Sequence, residues 1–371
     1  MRLGREGRTE LLLPPAPQRE GPARRAPVFY NPAMRIDRDV GVSVLTAWGK
    51  LHPPPQRAWE MLSATGVRGL RLLVESGAFS GLDSTEAHPE AHEVLQSNCA
   101  RYADRGARAF RADAREGGPA GPYDYVDLDP YGSPLLFLPA AMTALERGGL
   151  LGVTATDLMV LAGPQRKVCE RRYGARPVRG WLGPEGGLRI LLATLTSAAR
   201  ERGLGLRPIL AYVLGHHLRV YGELAPSNSP LRPPVGEYPP AADDGPPLGA
   251  PGPYGPMWTG PLFERSFVES LEVPIGVSDP ARLGQLLGRW REESAVDVPF
   301  AYEANRLAGE LGLASPPPLA ELLAELRSRG YGAARSHLTG SAFRTTAPRT
   351  EVTAAARETA RKLGPGSPAI S

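Results

Sequence analysis

Two carboxylates, a proline, an aromatic residue and a glycine stand together in Asp127-Leu128-Asp129-Pro130-Tyr131-Gly132-Ser133-Pro134. The chemistry open to such a set is methylation of a base amine. The exocyclic amine of a base is a poor nucleophile, because its lone pair is delocalised into the ring. The Asp129 carboxylate and the Pro130 carbonyl can accept its two N–H bonds, draw the nitrogen toward tetrahedral geometry and aim the lone pair at a methyl donor. Tyr131 supplies a ring that can stack on the base. The other reading of these residues is a Pro-Gly turn that caps the next helix.

Upstream, Ser63-Ala64-Thr65-Gly66-Val67-Arg68-Gly69 follows a β-like stretch and opens a helical one. Glycine lets backbone approach a ligand, and a helix N-terminus favours negative groups. The stretch is either a cofactor loop, with Ser63 and Gly66 lining it, or a tight strand-to-helix turn. It is only part of a dinucleotide fingerprint. Glu86 follows the next β-like run, where an acidic side chain can accept both hydroxyls of a ribose. Arg111-Ala112-Asp113-Ala114 falls where a third strand ends, and Asp113 there can bond an adenine amino group. Three such features at the spacing of successive strand–helix units point to a nucleoside-bearing cofactor.

The elements that position these residues are read from periodicity and breakers. Leu11-Leu12-Leu13 predicts a strand or hairpin within a Pro- and Arg-rich segment 1–27. Arg57 to Leu62 is a short apolar stretch before the turn, and Val67 to Glu75 has helical periodicity. Pro89 to Tyr102 reads as a helix with proline in its first turn. Tyr123 to Leu128 reads as a buried strand, Pro134 to Glu146 as a helix, Gly149 to Thr156 as a strand and Gly187 to Arg202 as a long helix. Leu206 to Leu214 is β-rich and continues toward Leu224. Alternating strands and helices imply a Rossmann-like, doubly wound parallel α/β sheet. The Pro-rich 226–256 predicts an extended loop, either a linker or an insertion. Beyond Phe263 the pattern is helical at 280–294, 301–312 and 318–329, then a hairpin over Tyr331–Thr346 and a last helix at 350–363. Helices followed by a hairpin form a small α+β module of winged-helix type.

The 371 residues suit two domains, or one large one with a satellite. With 42% hydrophobic and 22% charged residues, a wholly disordered chain is excluded. Of 43 basic residues only Lys50, Lys167 and Lys362 are lysine. Codon bias accounts for most of that excess; the remainder suits contacts to phosphates and bases. A net charge of +4 favours an anionic partner. Cys99 and Cys169 exclude a disulfide framework and read as reduced thiols of a cytosolic, cytoplasmic protein. No metal-ligand spacing is present, His216-His217 included, so no metal is expected. No signal peptide and no apolar run of membrane-spanning length is recognised.

Taken in order, Val28-Phe29-Tyr30-Asn31-Pro32, Arg38-Asp39, Leu62 to Arg71, Asp127 to Pro134 and Gly152-Val153-Thr154-Ala155-Thr156-Asp157 resemble the tRNA (guanine-N2-)-dimethyltransferase family. Lys167 to Gly174, Tyr254 to Leu262 and Gly330 to Pro348 continue the resemblance. It implies a class I fold dependent on S-adenosylmethionine and two methyl transfers to N2 of guanosine 26, at the junction of the D and anticodon stems of tRNA. By matching position, Arg38 and Arg71 bind the methionine end of the cofactor, Glu86 its ribose, and Asp113 with Ala114 its adenine; because the family often has Asp at the ribose position, Asp83 in Asp83-Ser84-Thr85-Glu86 is a rival to Glu86. Asp129 orients the amine, Tyr131 stacks on the guanine where the family often has Phe, and Phe29 forms the second face of an aromatic clamp. Read without the resemblance, Arg38 is an ion-pair partner of Asp37 or Asp39, and Phe29 a core residue. Residues 1–262 become a methyltransferase domain with a hairpin extension and the 226–256 insertion, and 263–371 a tRNA-binding domain. Arg335, His337 and Arg344 on the hairpin contact tRNA phosphates or are merely solvated. A monomer without metal is expected. The competing activities are a nicotinamide-linked oxidoreductase, opposed by the incomplete glycine fingerprint, another base-amine methyltransferase acting on DNA or ribosomal RNA, and a non-catalytic RNA-binding protein.

Overall fold

The computed structural model describes residues 1–14, 28–52, 56–119, 121–226, 234–238, 252–296 and 298–362. In chain order its elements begin with β1 (Arg2–Glu6), β2 (Thr9–Leu13), α1 (Arg35–Leu51), β3 (Arg57–Glu60), α2 (Val67–Glu75), β4 (Gly81–Thr85), α3 (Pro89–Ala100) and β5 (Ala107–Phe110). They continue with β6 (Tyr123–Leu128), α4 (Leu138–Ala144), β7 (Leu145–Ala155), α5 (Leu158–Leu161), α6 (Arg166–Tyr173), α7 (Gly183–Arg200), β8 (Leu204–Leu214) and β9 (His217–Pro226). The remainder is β10 (Val235–Tyr238), β11 (Tyr254–Trp258), α8 (Arg265–Ser270), α9 (Pro280–Ser294), β12 (Tyr302–Glu303), α10 (Ala304–Leu311), α11 (Leu319–Ser328), β13 (Ala333–Arg335), β14 (Ala342–Thr345) and α12 (Arg349–Lys362).

The chain divides into two compact units, and not by a single cut at residue 262. The first holds Met1–Asp157, Thr194–Leu231 and Glu269–Leu287; the second holds Leu158–Ala193, Arg232–Val268 and Gly288–Ser371. Each draws on separated stretches, so a boundary taken from composition alone misses them.

The first unit is built on a seven-stranded sheet in the order β5-β4-β3-β6-β7-β9-β8. Its central strands bury Trp59, Tyr125, Val126, Leu128, Leu150 and Val153, the pattern of a sheet covered on both faces. Strands β3 to β7 run parallel. The last two do not: β9 lies antiparallel to β7 and to β8. An entirely parallel sheet is thereby corrected. Only Gly215 and His216 join β8 to β9, and a connection that short closes a hairpin, whereas a parallel crossover needs a dozen residues. The strand order reverses direction between β3 and β6, the switch point where the carboxyl ends of an α/β sheet leave a crevice.

The β1–β2 hairpin docks beside this sheet through side chains of α3 and its C-terminal flank. The Asn98 amide bonds both the N–H and the carbonyl of Leu12, at 2.6 and 3.0 Å, and the Tyr102 hydroxyl does the same for Glu10, at 2.8 and 3.0 Å.

In the second unit, α10, α11 and α12 pack with the three-stranded sheet β12-β14-β13 around Leu322, Leu326, Phe343 and Val352. The sequence led to helices and a hairpin; the third strand, two residues long, escaped notice. Within the Pro-rich segment, Val235–Tyr238 pairs antiparallel with Tyr254–Trp258, so its two ends form a small sheet instead of an extended loop. Residues 227–233 and 239–251 lie outside the described part. Among the described residues no helix is long and apolar enough to cross a membrane.

Candidate active site

Because β3, β4, β5 and β6 are parallel, the segments that follow them emerge at one edge of the sheet. The Ser63 turn, Glu86, Asp113 and Asp129 therefore share that edge, as their spacing implied. The turn is tightly built. Ser63 N–H donates to the Thr85 carbonyl at 3.0 Å, and Gly66 N–H to the Ser63 carbonyl at 2.7 Å. Gly66 caps α2 at φ +74°, where a side chain is strained, and a Cβ there would lie 2.7 Å from Leu95 Cδ1. Ala64 also takes positive φ, at 48°.

Glu86 sits just past β4. Its carboxylate accepts from Ala64 N–H at 2.9 Å and from His88 N–H at 2.8 Å, tying the turn to the strand end. Asp83 lies within β4 and is buried; it accepts from Arg57, Arg108 and the Tyr123 hydroxyl at 2.7–3.0 Å. Of the two rivals for a ribose, Glu86 is the one at the sheet edge. Asp113 caps the 3-10 turn Ala114–Glu116, and the neighbouring Arg115 pulls its carboxyl down to about 2. Ala114 is buried.

At the switch point, Asp129 leaves the end of β6 with 30% of its side chain exposed. Arg68, one position inside α2, donates to Asp129 Oδ2 from Nε at 3.1 Å and from Nη2 at 2.7 Å. Burial opposes ionisation of Asp129, yet Arg68 and then Arg219 outweigh it, and the carboxyl stays below the usual carboxylate range. Arg68 also reaches Asp37 Oδ2 of α1 at 2.7 Å. Beneath lies the buried pair of Asp127 and Arg219, at 2.6 Å, with Tyr125 on the same carboxylate. Glu60, at the end of β3, accepts from Gly69 N–H at 2.9 Å and from the Ser84 hydroxyl at 3.2 Å. Burial, helped by the charge of Asp127, pushes its carboxyl up to about 7.

The predicted aromatic clamp is made of outward rings: Tyr131 is 66% and Phe29 44% exposed. Phe29 is therefore no core residue. The Asp129–Gly132 loop is pinned to the end of β7 by Gly132 and Thr156.

Several sequence expectations change. Arg38 pairs with neither Asp37 nor Asp39 but with Glu6, at 2.5 and 2.7 Å. Arg71 is wholly buried, and its three nitrogens donate to Glu6, Asp39 and Glu75. It ties the N-terminal hairpin to α1 and α2, and Arg68, three residues earlier, is the arginine that meets Asp129. The helical offset of i and i+3 is too small for a sequence to tell which one faces the crevice. In the second unit, His337 and Arg344 are internal: both bind Glu293, at 2.7 and 2.6 Å, and Arg344 also binds Glu185 at 3.0 Å. Both side chains are turned inward to Glu293 and offer nothing to a phosphate. Arg335 is half-buried on β13. Of the residues to which the sequence reading gave no part in the site, Glu60 had one signal, an acid at a strand end before a turn; Asp37, read only as a possible ion-pair partner of Arg38, and Arg219 had none.

The site accommodates a nucleoside cofactor. Two buried polar atoms at the turn and on α2, Thr65 Oγ1 and Arg68 Nη1, have no hydrogen-bond partner among the described residues, and Glu86 and Asp113 stand at successive strand ends. Among the described residues no three His, Cys, Asp or Glu side chains are grouped to hold a metal ion.

A family model described as N2,N2-dimethylguanosine tRNA methyltransferase matches residues 17–229 and 249–357. The tRNA (guanine(26)-N(2))-dimethyltransferase of Thermococcus kodakarensis is 33% identical over 375 residues, covering 93% of this chain and 96% of its own length. That of Methanosarcina acetivorans is 32% identical over 381 residues, covering 94% and 96%. The structure of Trm1 from Pyrococcus horikoshii, a complex with S-adenosyl-L-methionine, superposes with a TM-score of 0.82 at 26% identity, covering 96% of this chain and 99% of that one.

Proposed function

This chain belongs to the N2,N2-dimethylguanosine tRNA methyltransferase family, and from that premise we propose how its residues act. The enzyme methylates N2 of guanosine 26 in tRNA with S-adenosylmethionine, giving N2-methyl- and then N2,N2-dimethylguanosine. When bound, S-adenosylmethionine supplies a sulfonium methyl group. Glu86 would hold its ribose and Asp113 with the Ala114 backbone its adenine. The Ser63–Gly66 turn would line its methionine end. Arg38 would serve that end only by sharing the guanidinium it gives to Glu6.

The target base is stacked inside tRNA and must be extruded to be reached. Phe29 and Tyr131 would then hold its ring by stacking. Asp129 accepts one N2–H and the Pro130 carbonyl the other, which localises the nitrogen lone pair for attack. The observation that carries this role is the ionised, part-exposed Asp129 at the switch point, with both bonds from Arg68 spent on Oδ2. Oδ1 takes no bond from Arg68; the Thr154 hydroxyl also donates to this carboxylate, whose oxygens each have two lone pairs, so acceptor capacity remains for an incoming N–H.

Phosphate contacts fall to exposed cations, and the second unit concentrates them on α6. Arg166, Lys167, Arg171 and Arg172 are exposed there while Cys169 anchors the opposite side. Lys167 and Arg171, one turn apart, make a face suited to a polyanion.

The test is to incubate the protein with unmodified tRNA and labelled S-adenosylmethionine and to map the modified nucleosides. Label at N2 of guanosine 26 is expected. Label on another atom or nucleotide, or none, overturns the reading.

A further inference from the structure

An arginine beside an aspartate ordinarily forms a two-pronged fork, one nitrogen on each carboxylate oxygen. Arg68 does not do this with Asp129. Its Nε and Nη2 both converge on Oδ2, at 3.1 and 2.7 Å. The same Nη2 also donates to Asp37 Oδ2 at 2.7 Å. Asp37 is fully buried and fixed from its far side: its Oδ1 accepts from the Tyr212 hydroxyl at 2.6 Å and meets His217 Nε2 at 3.0 Å. Three elements, α1, β8 and β9, thus hold an anion that competes with Asp129 for one guanidinium nitrogen.

We propose that Asp37 is a positioning residue for methyl transfer: by drawing Arg68 Nη2 toward itself it keeps Arg68 out of a fork with Asp129 and leaves Asp129 Oδ1 open to the N2 amine. The proposal rests on the reading that Asp129 accepts from that amine. Remove the Asp37 charge, and Asp129 is the one carboxylate left within hydrogen-bond distance of Arg68, with Asp127 Oδ1 farther away at 3.7 Å. The guanidinium then settles into the fork, covers Oδ1 and blocks the acceptor, although both Arg68 and Asp129 are still present. Lysine, a point charge without a fork, cannot cover both oxygens.

Asp37→Asn is expected to lower kcat about tenfold while KM for tRNA and calorimetric affinity for S-adenosylmethionine stay within about twofold, the scale of one mispositioned catalytic group. Adding Arg68→Lys to Asp37→Asn should restore part of the lost kcat. Unchanged kcat in Asp37→Asn, or a loss that Arg68→Lys leaves untouched, overturns the proposal. Should Asp37→Asn fail to fold, Tyr212→Phe loosens the same carboxylate and should cost about threefold in kcat; full kcat there also overturns it. Asp129→Asn run in parallel separates two failures. Turnover surviving in Asp129→Asn overturns the reading of Asp129 together with this one. Turnover lost in Asp129→Asn but kept in Asp37→Asn overturns the role of Asp37 alone.

Discussion

Gly132 and Thr156 hold each other by two hydrogen bonds: Gly132 N–H donates to Thr156 Oγ1 at 2.7 Å, and Thr156 N–H donates to the Gly132 carbonyl at 2.9 Å. The pair locks the loop after β6 to the end of β7, and so fixes where Asp129 and Tyr131 stand. Gly132 is at φ +90°, where an L side chain is strained. Gly132→Ala has open space for its methyl but should still cost about 1–2 kcal/mol of stability through the backbone, and it should lower kcat as the loop shifts. Thermal unfolding and single-turnover assays read both effects; an unaltered melting temperature would speak against the strain.

Asp129 and Phe29 should separate cleanly. Asp129→Ala removes the acceptor for the amine and should reduce methyl transfer by about a hundredfold or more, with tRNA still bound. Phe29→Ala removes one stacking face while Tyr131 keeps the other, so its loss should be smaller and largely in KM. Equal losses in the two variants would contradict this division.

Glu86 and Asp83 differ in what they hold. Glu86→Ala should weaken S-adenosylmethionine binding about tenfold, the scale of losing a charge-assisted pair of hydrogen bonds, and leave folding nearly intact. Asp83→Ala strips buried partners from Arg57, Arg108 and Tyr123 and should show first as a lower melting temperature. Calorimetric titration beside thermal unfolding distinguishes them; the opposite pattern would move the ribose site to Asp83.

Glu60 makes stability depend on pH. Its carboxyl is pushed up to about 7 in the folded chain against 4.5 as a free group. The folded state therefore keeps the proton longer than the unfolded one. The advantage is complete below about 4.5 and is lost as pH rises through about 7, at most about 3 kcal/mol. Glu60→Gln cannot ionise, so its melting temperature should gain on that of the unaltered protein as pH goes from 5 to 8. Parallel curves over that range would rule the effect out.

Charge on the second unit should act in two ways according to burial. Lys167→Glu with Arg171→Glu alters exposed cations and should weaken tRNA binding about tenfold and flatten its salt dependence, by about one unit of slope for each phosphate no longer neutralised. Arg344→Ala leaves Glu185 and Glu293 buried without their shared cation and should cost about 3–5 kcal/mol of stability. Those two carboxyls are held below their ordinary range against burial, with Arg344 a principal cause. A normal melting temperature with impaired tRNA binding in Arg344→Ala would return that residue to the surface.

The sheet edge that carries the candidate site was legible in the chain itself. The Ser63–Gly66 turn, Glu86, Asp113 and Asp129 recur at the spacing of strand–helix units, and α2 and β6 fall at the residues that their periodicity marked, because local pattern and burial agree there. Helix α1 was not legible. Asp37, Arg38 and Asp39 sit buried in its first turns, where a sequence reads charge as surface. Tertiary structure alone supplies what makes that burial tolerable: Arg68 for Asp37, Glu6 for Arg38 and Arg71 for Asp39, partners from elements distant in the chain. For the same reason His337 and Arg344 looked like phosphate ligands and are instead internal partners of Glu293. Spacing along the chain sets which residue types arrive at the strand ends. Which charges face the crevice and which cancel inside was decided only by folding, because an ion's environment is set by neighbours that no local window contains.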